Sequence, residues 1–163
     1  MRRTPAGVIA LGGMMAALAV VIMSLGGLIP VATFVCPVLC MVLHSFVLKM
    51  CGRRIAWAWY GAVAILSLLL GPDKEAAAVY LFLGAYPVFK VALDRMKLGF
   101  CLKLLFFNGA ILLMYWVLIG LFGMAQIASE YQQLGTIMTA VMLVLGNVTF
   151  LMLDRALTIL ARK

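Results

Sequence analysis

Six apolar runs constrain this chain more than any motif does: about Ala6–Leu28, Val31–Met50, Ile55–Leu70, Ala76–Leu93, Leu98–Ala125 and Leu134–Leu160. A bilayer-crossing helix needs about 20 predominantly apolar residues, so six of them occupy roughly 120 positions. Too few of the 163 residues remain for an independent soluble domain. Charged residues make up only 11% of the chain, against about 25% in soluble domains. That excludes a water-soluble fold. The runs stay apolar instead of alternating in segments of about ten residues, which excludes a transmembrane barrel. The expected fold is all-α: a polytopic membrane protein, a six-transmembrane-helix bundle forming one integral membrane domain over residues 1–163.

The breaks between runs carry turn and charge signals: Gly26-Gly27 with Pro30, Cys51-Gly52-Arg53-Arg54, Gly71-Pro72-Asp73-Lys74-Glu75, Asp94-Arg95-Met96-Lys97, and the polar stretch Gln126–Gln133. Retained Lys and Arg mark cytoplasmic loops. With the N-terminus inside, Arg2, Arg3, Lys49, Arg53, Arg54, Lys90, Arg95, Lys97, Lys103, Arg155, Arg162 and Lys163 all fall on the cytoplasmic side. Only Lys74 lies outside, with Asp73, Glu75 and Glu130. Losing or gaining one helix would scramble this alternation, so both termini are expected in the cytoplasm. The net charge of +8 then reports basic loops facing the lipid surface and no nucleic-acid partner. Met1-Arg2-Arg3 before an apolar run also resembles a signal peptide, but the run exceeds the 7–15 residues, roughly, of a signal core, so retention is expected.

Stepping by four and three along the first run gives Ala6, Ala10, Gly13, Ala17, Val20, Ser24 and Gly27, all small but one. Small residues on one stripe let backbones approach where lipid offers no hydrophobic drive. The stripe suits either packing inside the bundle or docking on another protein, with Ala10, Gly13 and Ala17 at its centre. The Asp73-Lys74-Glu75 loop is tightly clamped between two runs. Asp73 suits a helix N-cap and Glu75 the first turn, or the pair could hold an incoming amine or cation.

Few polar residues lie within the runs. His44 stands near Lys49, where interfacial solvation is the ordinary expectation, and Asn147 suits an interhelical hydrogen bond. Asn108 sits too near the cytoplasmic end to suit a pocket, and Trp57, Trp59 and Tyr60 read as an inner interfacial belt. Asp94 and Asp154 are each followed by Arg, which suggests local ion pairing. In the fourth run Tyr80, Gly84 and Pro87 share a face. A proline within a span frees a backbone carbonyl that a neighbour or a cavity must satisfy. A solute site is therefore expected in the outer half between the fourth helix and the fifth and sixth, under the Asp73–Glu75 loop, using Tyr80, Gly84 and Trp116.

No nucleophile elbow, metalloprotease helix, phosphate loop or dinucleotide turn occurs. The cysteines lack a C-x-x-C pair and the lone histidine offers no metal set. No enzyme activity, metal or cofactor is expected.

The chain size, the six spans, the basic inner side and Gly12-Gly13-Met14-Met15-Ala16-Ala17 resemble the substrate-binding subunits of energy-coupling-factor vitamin transporters, at the level of topology and one motif. The resemblance implies a bacterial cytoplasmic-membrane protein that captures a vitamin-like micronutrient from outside. It also implies docking through helix one, here Gly13 and Ala17, on a transmembrane coupling subunit associated with ATPases. The first outer loop is shorter than that family's lid. A structural or assembly protein without a ligand is the competing expectation.

Overall fold

The computed structural model describes residues 5–26, 32–120, 123 and 125–162. Seven helices account for them: α1 Pro5–Leu25, α2 Ala32–Cys51, α3 Arg53–Leu70, α4 Lys74–Leu83, α5 Tyr86–Leu93, α6 Gly99–Gly120 and α7 Ala125–Arg162. Because α4 and α5 together make one span, six helical segments are long and apolar enough to cross a membrane. The Gly27–Pro30 break and Arg2, Arg3 and Lys163 lie outside the described residues.

The links are as short as the sequence implies. Gly52 alone joins α2 to α3 and takes φ of 85°, a left-handed value that favours glycine. Asp73 adopts extended backbone and its side chain accepts from the Ala76 N–H at 3.0 Å, capping α4. The polar stretch Gln126–Gln133 is a correction: it is no break but lies inside α7, whose 38 residues run about 57 Å at ~1.5 Å per residue. The apolar part of that helix begins only at Met138.

Two sets of contacts define two ends of the bundle. At one, Cys51 Sγ donates to the Val8 carbonyl and Lys49 Nζ to the Leu160 carbonyl. At the other, Thr33 donates to Asp73 at 2.6 Å and Tyr115 to Glu75 at 2.8 Å. Successive spans therefore run in alternating directions, and the described lysines and arginines other than Lys74 gather towards the first end.

Burial is uneven. In the α4–α5 span 67% of the apolar window is buried, against 17% for α1 and for α7. The cause is composition: Ala76, Ala77 and Ala78 let neighbouring backbones close in, and α2, α3 and α6 all pack on α4.

Candidate functional site

The most buried span is also the interrupted one. Pro87 has no N–H to give the Leu83 carbonyl, and the Val88 N–H bonds Ala85 at 3.1 Å instead of continuing the ladder to Gly84. Gly84 and Ala85 form the turn between α4 and α5, which leaves the Gly84 carbonyl outside the helical ladder. His44 Nδ1 donates to that carbonyl at 2.7 Å. The carbonyl that the turn takes out of the ladder is thus satisfied by a side chain from α2.

His44 is fully buried, which corrects the interfacial placement near Lys49. Its ring stacks on Trp59 (centroids 5.3 Å apart) and Tyr60 (5.9 Å), and Tyr60 lies 5.9 Å from Tyr80. Tyr80 in turn closes on Gly84: a Cβ added there would meet the Tyr80 ring at 2.9 Å. Tyr60 donates to the Leu81 carbonyl. Trp59 is buried at 4% exposure, so it leaves the expected interfacial belt, whereas Trp57 is 36% exposed and Tyr60 half-buried.

Among the described residues four side-chain polar atoms are buried without a hydrogen-bond partner that meets distance and angle: His44 Nε2, Trp59 Nε1, Tyr80 Oη and Ser67 Oγ. The Ala56 backbone carbonyl also lies beside the His44 ring. A buried polar atom without a partner is costly, because it forfeits water and gains nothing in return. Three of these atoms belong to the His44–Trp59–Tyr60–Tyr80 chain of rings, at the junction of α2, α3 and α4.

A second polar group sits at the basic end. Asp154 on α7 accepts from Lys90 on α5, from Lys103 on α6 at 3.0 Å and from Tyr86 at 2.5 Å. Asp94 pairs with Lys90 at 3.2 Å and with Lys103. Two acids and two bases thus form a closed, neutral ring joining three helices. This corrects the expected pairing with Arg95 and Arg155, both of which are exposed. Adjacent positions on a helix point to different sides, whereas Lys90 and Asp94 are one turn apart. Above this ring Asn108 and Asn147 exchange two hydrogen bonds, at 3.0 and 3.1 Å, so Asn147 finds its interhelical partner in the residue set aside as too near the inner end.

The other singled-out residues disperse. Asp73 is engaged by Ala76 and Thr33, and Glu75 by Tyr115. Trp116 is 70% exposed on the outer surface and shares no described ring contact with Tyr80. Ala10, Gly13 and Ala17 are exposed, and nothing lies within 4 Å of a Cβ added at Gly13. The inward face of α1 is instead Gly12, Ala19 and Met23. Cys36 and Cys40 are buried free thiols, Cys40 donating to the Ala19 carbonyl. Among the described residues no three His, Cys, Asp or Glu side chains group as metal ligands. No family model matches the chain, and neither a curated protein nor a solved structure matches it.

Proposed function

We propose that this chain is a membrane transport subunit that binds a small solute at the interrupted fourth span and docks through α1 on an energising partner. Both termini then lie in the cytoplasm, a placement that the distribution of lysine and arginine supports, and the bilayer in this reading is the bacterial cytoplasmic membrane. The observation that carries the proposal is the break at Gly84-Ala85 inside the most buried span, with unpartnered polar atoms beside it. Interrupted spans near the middle of a bundle are where transporters expose backbone and polar side chains to a solute. The solute then sits on the α2–α3 side of Tyr80, where those atoms are, and not between the fourth helix and the fifth and sixth.

The outward stripe of Ala10, Gly13 and Ala17 supports the docking half. It leaves a flat, close-approach surface on the helix that packs only one face into the bundle. This matches the helix-one contact implied by the likeness to energy-coupling-factor substrate-binding subunits, whose coupling subunit and ATPases supply the energy that this chain has no sequence to provide.

Purification in mild detergent with mass spectrometry of bound proteins tests it. A membrane partner should accompany the native chain and be lost from Gly13→Leu and Ala17→Leu variants of unchanged stability. Retention of the partner by both variants would overturn the docking surface. Partner capture without any solute uptake in proteoliposomes would leave an assembly protein as the better description.

A further inference from the structure

The charge ring leaves the basic end of the bundle unbalanced. Every salt bridge among the described residues is made by Lys90 or Lys103, to Asp94 or Asp154. Those are the described acids at this end. Because both are consumed, Lys49, Arg53, Arg54, Arg95, Lys97 and Arg155 have no carboxylate partner among the described residues. We infer that the α5–α6 link binds one anionic phospholipid, its phosphate held by Arg95 and Lys97 and an acyl chain lying along α6. The inference rests on the membrane spans and is independent of the transport role.

Two features single out this link. Its sequence alternates cations with large apolar residues, and Arg95, Met96, Lys97, Leu98 and Phe100 are all exposed, the last two at 69% and 60%. The link is also held in shape by turn bonds, from the Met96 N–H to Leu93 at 3.1 Å and from the Gly99 N–H to Met96 at 3.0 Å. Cations interleaved with apolar side chains suit the boundary between headgroups and acyl chains. Beyond the link, Leu98, Cys101, Leu105, Gly109 and Leu112 step by three and four along one exposed face. Nothing lies within 4 Å of a Cβ added at Gly109, so that face is indented there. From Gly99 to Gly109 the helix rises about 15 Å at ~1.5 Å per residue, one leaflet of a hydrocarbon core about 30 Å thick. A phosphate makes charge-assisted hydrogen bonds to the guanidinium and ammonium groups. A zwitterionic headgroup brings its own cation to oppose them, and an anionic one does not. The α2–α3 link is the internal comparison: Arg53 and Arg54 are equally exposed, but they are consecutive, and Ile55 and Ala56 after them are half-buried and buried. Its charge acts diffusely.

The test uses the full chain in nanodiscs of equal dioleoyl phosphatidylglycerol and dioleoyl phosphatidylcholine, released in mild detergent for native mass spectrometry. One phosphatidylglycerol should stay with each chain, favoured over phosphatidylcholine at least about tenfold, as two cations at an anionic surface imply. The double variant Arg95→Gln, Lys97→Gln should bring it down to the phosphatidylcholine level, whereas Arg53→Gln, Arg54→Gln, which removes the same charge, should retain it. Leu98→Gln keeps both cations and should weaken retention severalfold by wetting the apolar flank. All five positions lack a buried side chain, so the variants should elute as the native chain does. Equal retention of the two lipids, or equal loss from the two arginine-bearing pairs, would reduce the link to diffuse charge and overturn the site. Retention undiminished by Leu98→Gln would overturn the acyl contact. Displacement of the lipid by millimolar glycerol 3-phosphate would show a soluble phosphate as the occupant and overturn the lipid.

Discussion

The junction at His44 and the charge ring at Asp154 both bury polar groups in an apolar bundle, yet they treat those groups in opposite ways. In the ring every carboxylate has a cation and Asp154 accepts from three side chains on two other helices. At the junction His44 bonds Gly84 and Tyr60 bonds Leu81, and among the described residues three polar side-chain atoms there have no partner. A saturated network uses its capacity on folding. An unsaturated one keeps capacity for something else, at a cost to stability. The ring therefore belongs to the architecture, and on the proposed function the junction is the place left for recognition.

The sharpest challenge to that division is Asp154→Asn. Removing one acid leaves Lys90 and Lys103 with Asp94 alone, and should destabilise the fold by about 3 kcal/mol, near the low end for unpairing a buried charge. Denaturant titration in detergent would measure it. Adding Lys103→Gln to Asp154→Asn should recover part of the loss, since the two belong to one network; strictly additive losses would show that the ring is not one unit.

Gly84→Ala comes next. The added methyl meets the Tyr80 backbone carbonyl and, at 2.9 Å, the Tyr80 ring, and the forced shift should cost about 1–3 kcal/mol. It should also disturb solute binding, because the ring it displaces is part of the junction. Asp73→Ala should cost about 1 kcal/mol through the lost cap, with solute binding unchanged, and a large binding defect would return the outer loop to the site. The smallest expected effect is the most diagnostic. Tyr80→Phe deletes a hydroxyl that has no partner, so stability in the same denaturant titration should stay within about 0.5 kcal/mol or rise. A loss of more than about 1 kcal/mol would show that the hydroxyl is satisfied on folding.

The six spans and the cap at Asp73 were legible in the sequence because hydropathy and capping are local: each depends on neighbours a few positions away. The pairing of polar groups was not. Lys90 and Asp154 are 64 positions apart, and His44 and Gly84 are 40 apart. Even so, a signal for the ring existed. Lys90, Lys103 and Asp154 each stand several residues inside an apolar run, towards ends that the charge alternation places together, with Asp94 one turn from Lys90. Attention to the flanking Arg95 and Arg155 obscured it. The proline at 87 announced an interrupted ladder, but nothing local named the histidine that takes the Gly84 carbonyl. That Trp116 is exposed was not legible either, since aromatic character gives no direction around a helix axis.

The bond from His44 to Gly84 also has a genetic consequence. A residue other than proline at position 87 would remove the ring's clash with the Leu83 carbonyl and supply that carbonyl's missing N–H; once α4 and α5 join, the Val88 N–H takes the Gly84 carbonyl and strands the imidazole proton. An apolar residue at position 44 would strand the carbonyl instead. Each single step passes through an unsatisfied intermediate in the middle of the bundle, while both steps together reach a continuous apolar helix. Positions 44 and 87 are thus epistatic, and in any lineage carrying this fold histidine and proline should be inherited or surrendered as a pair.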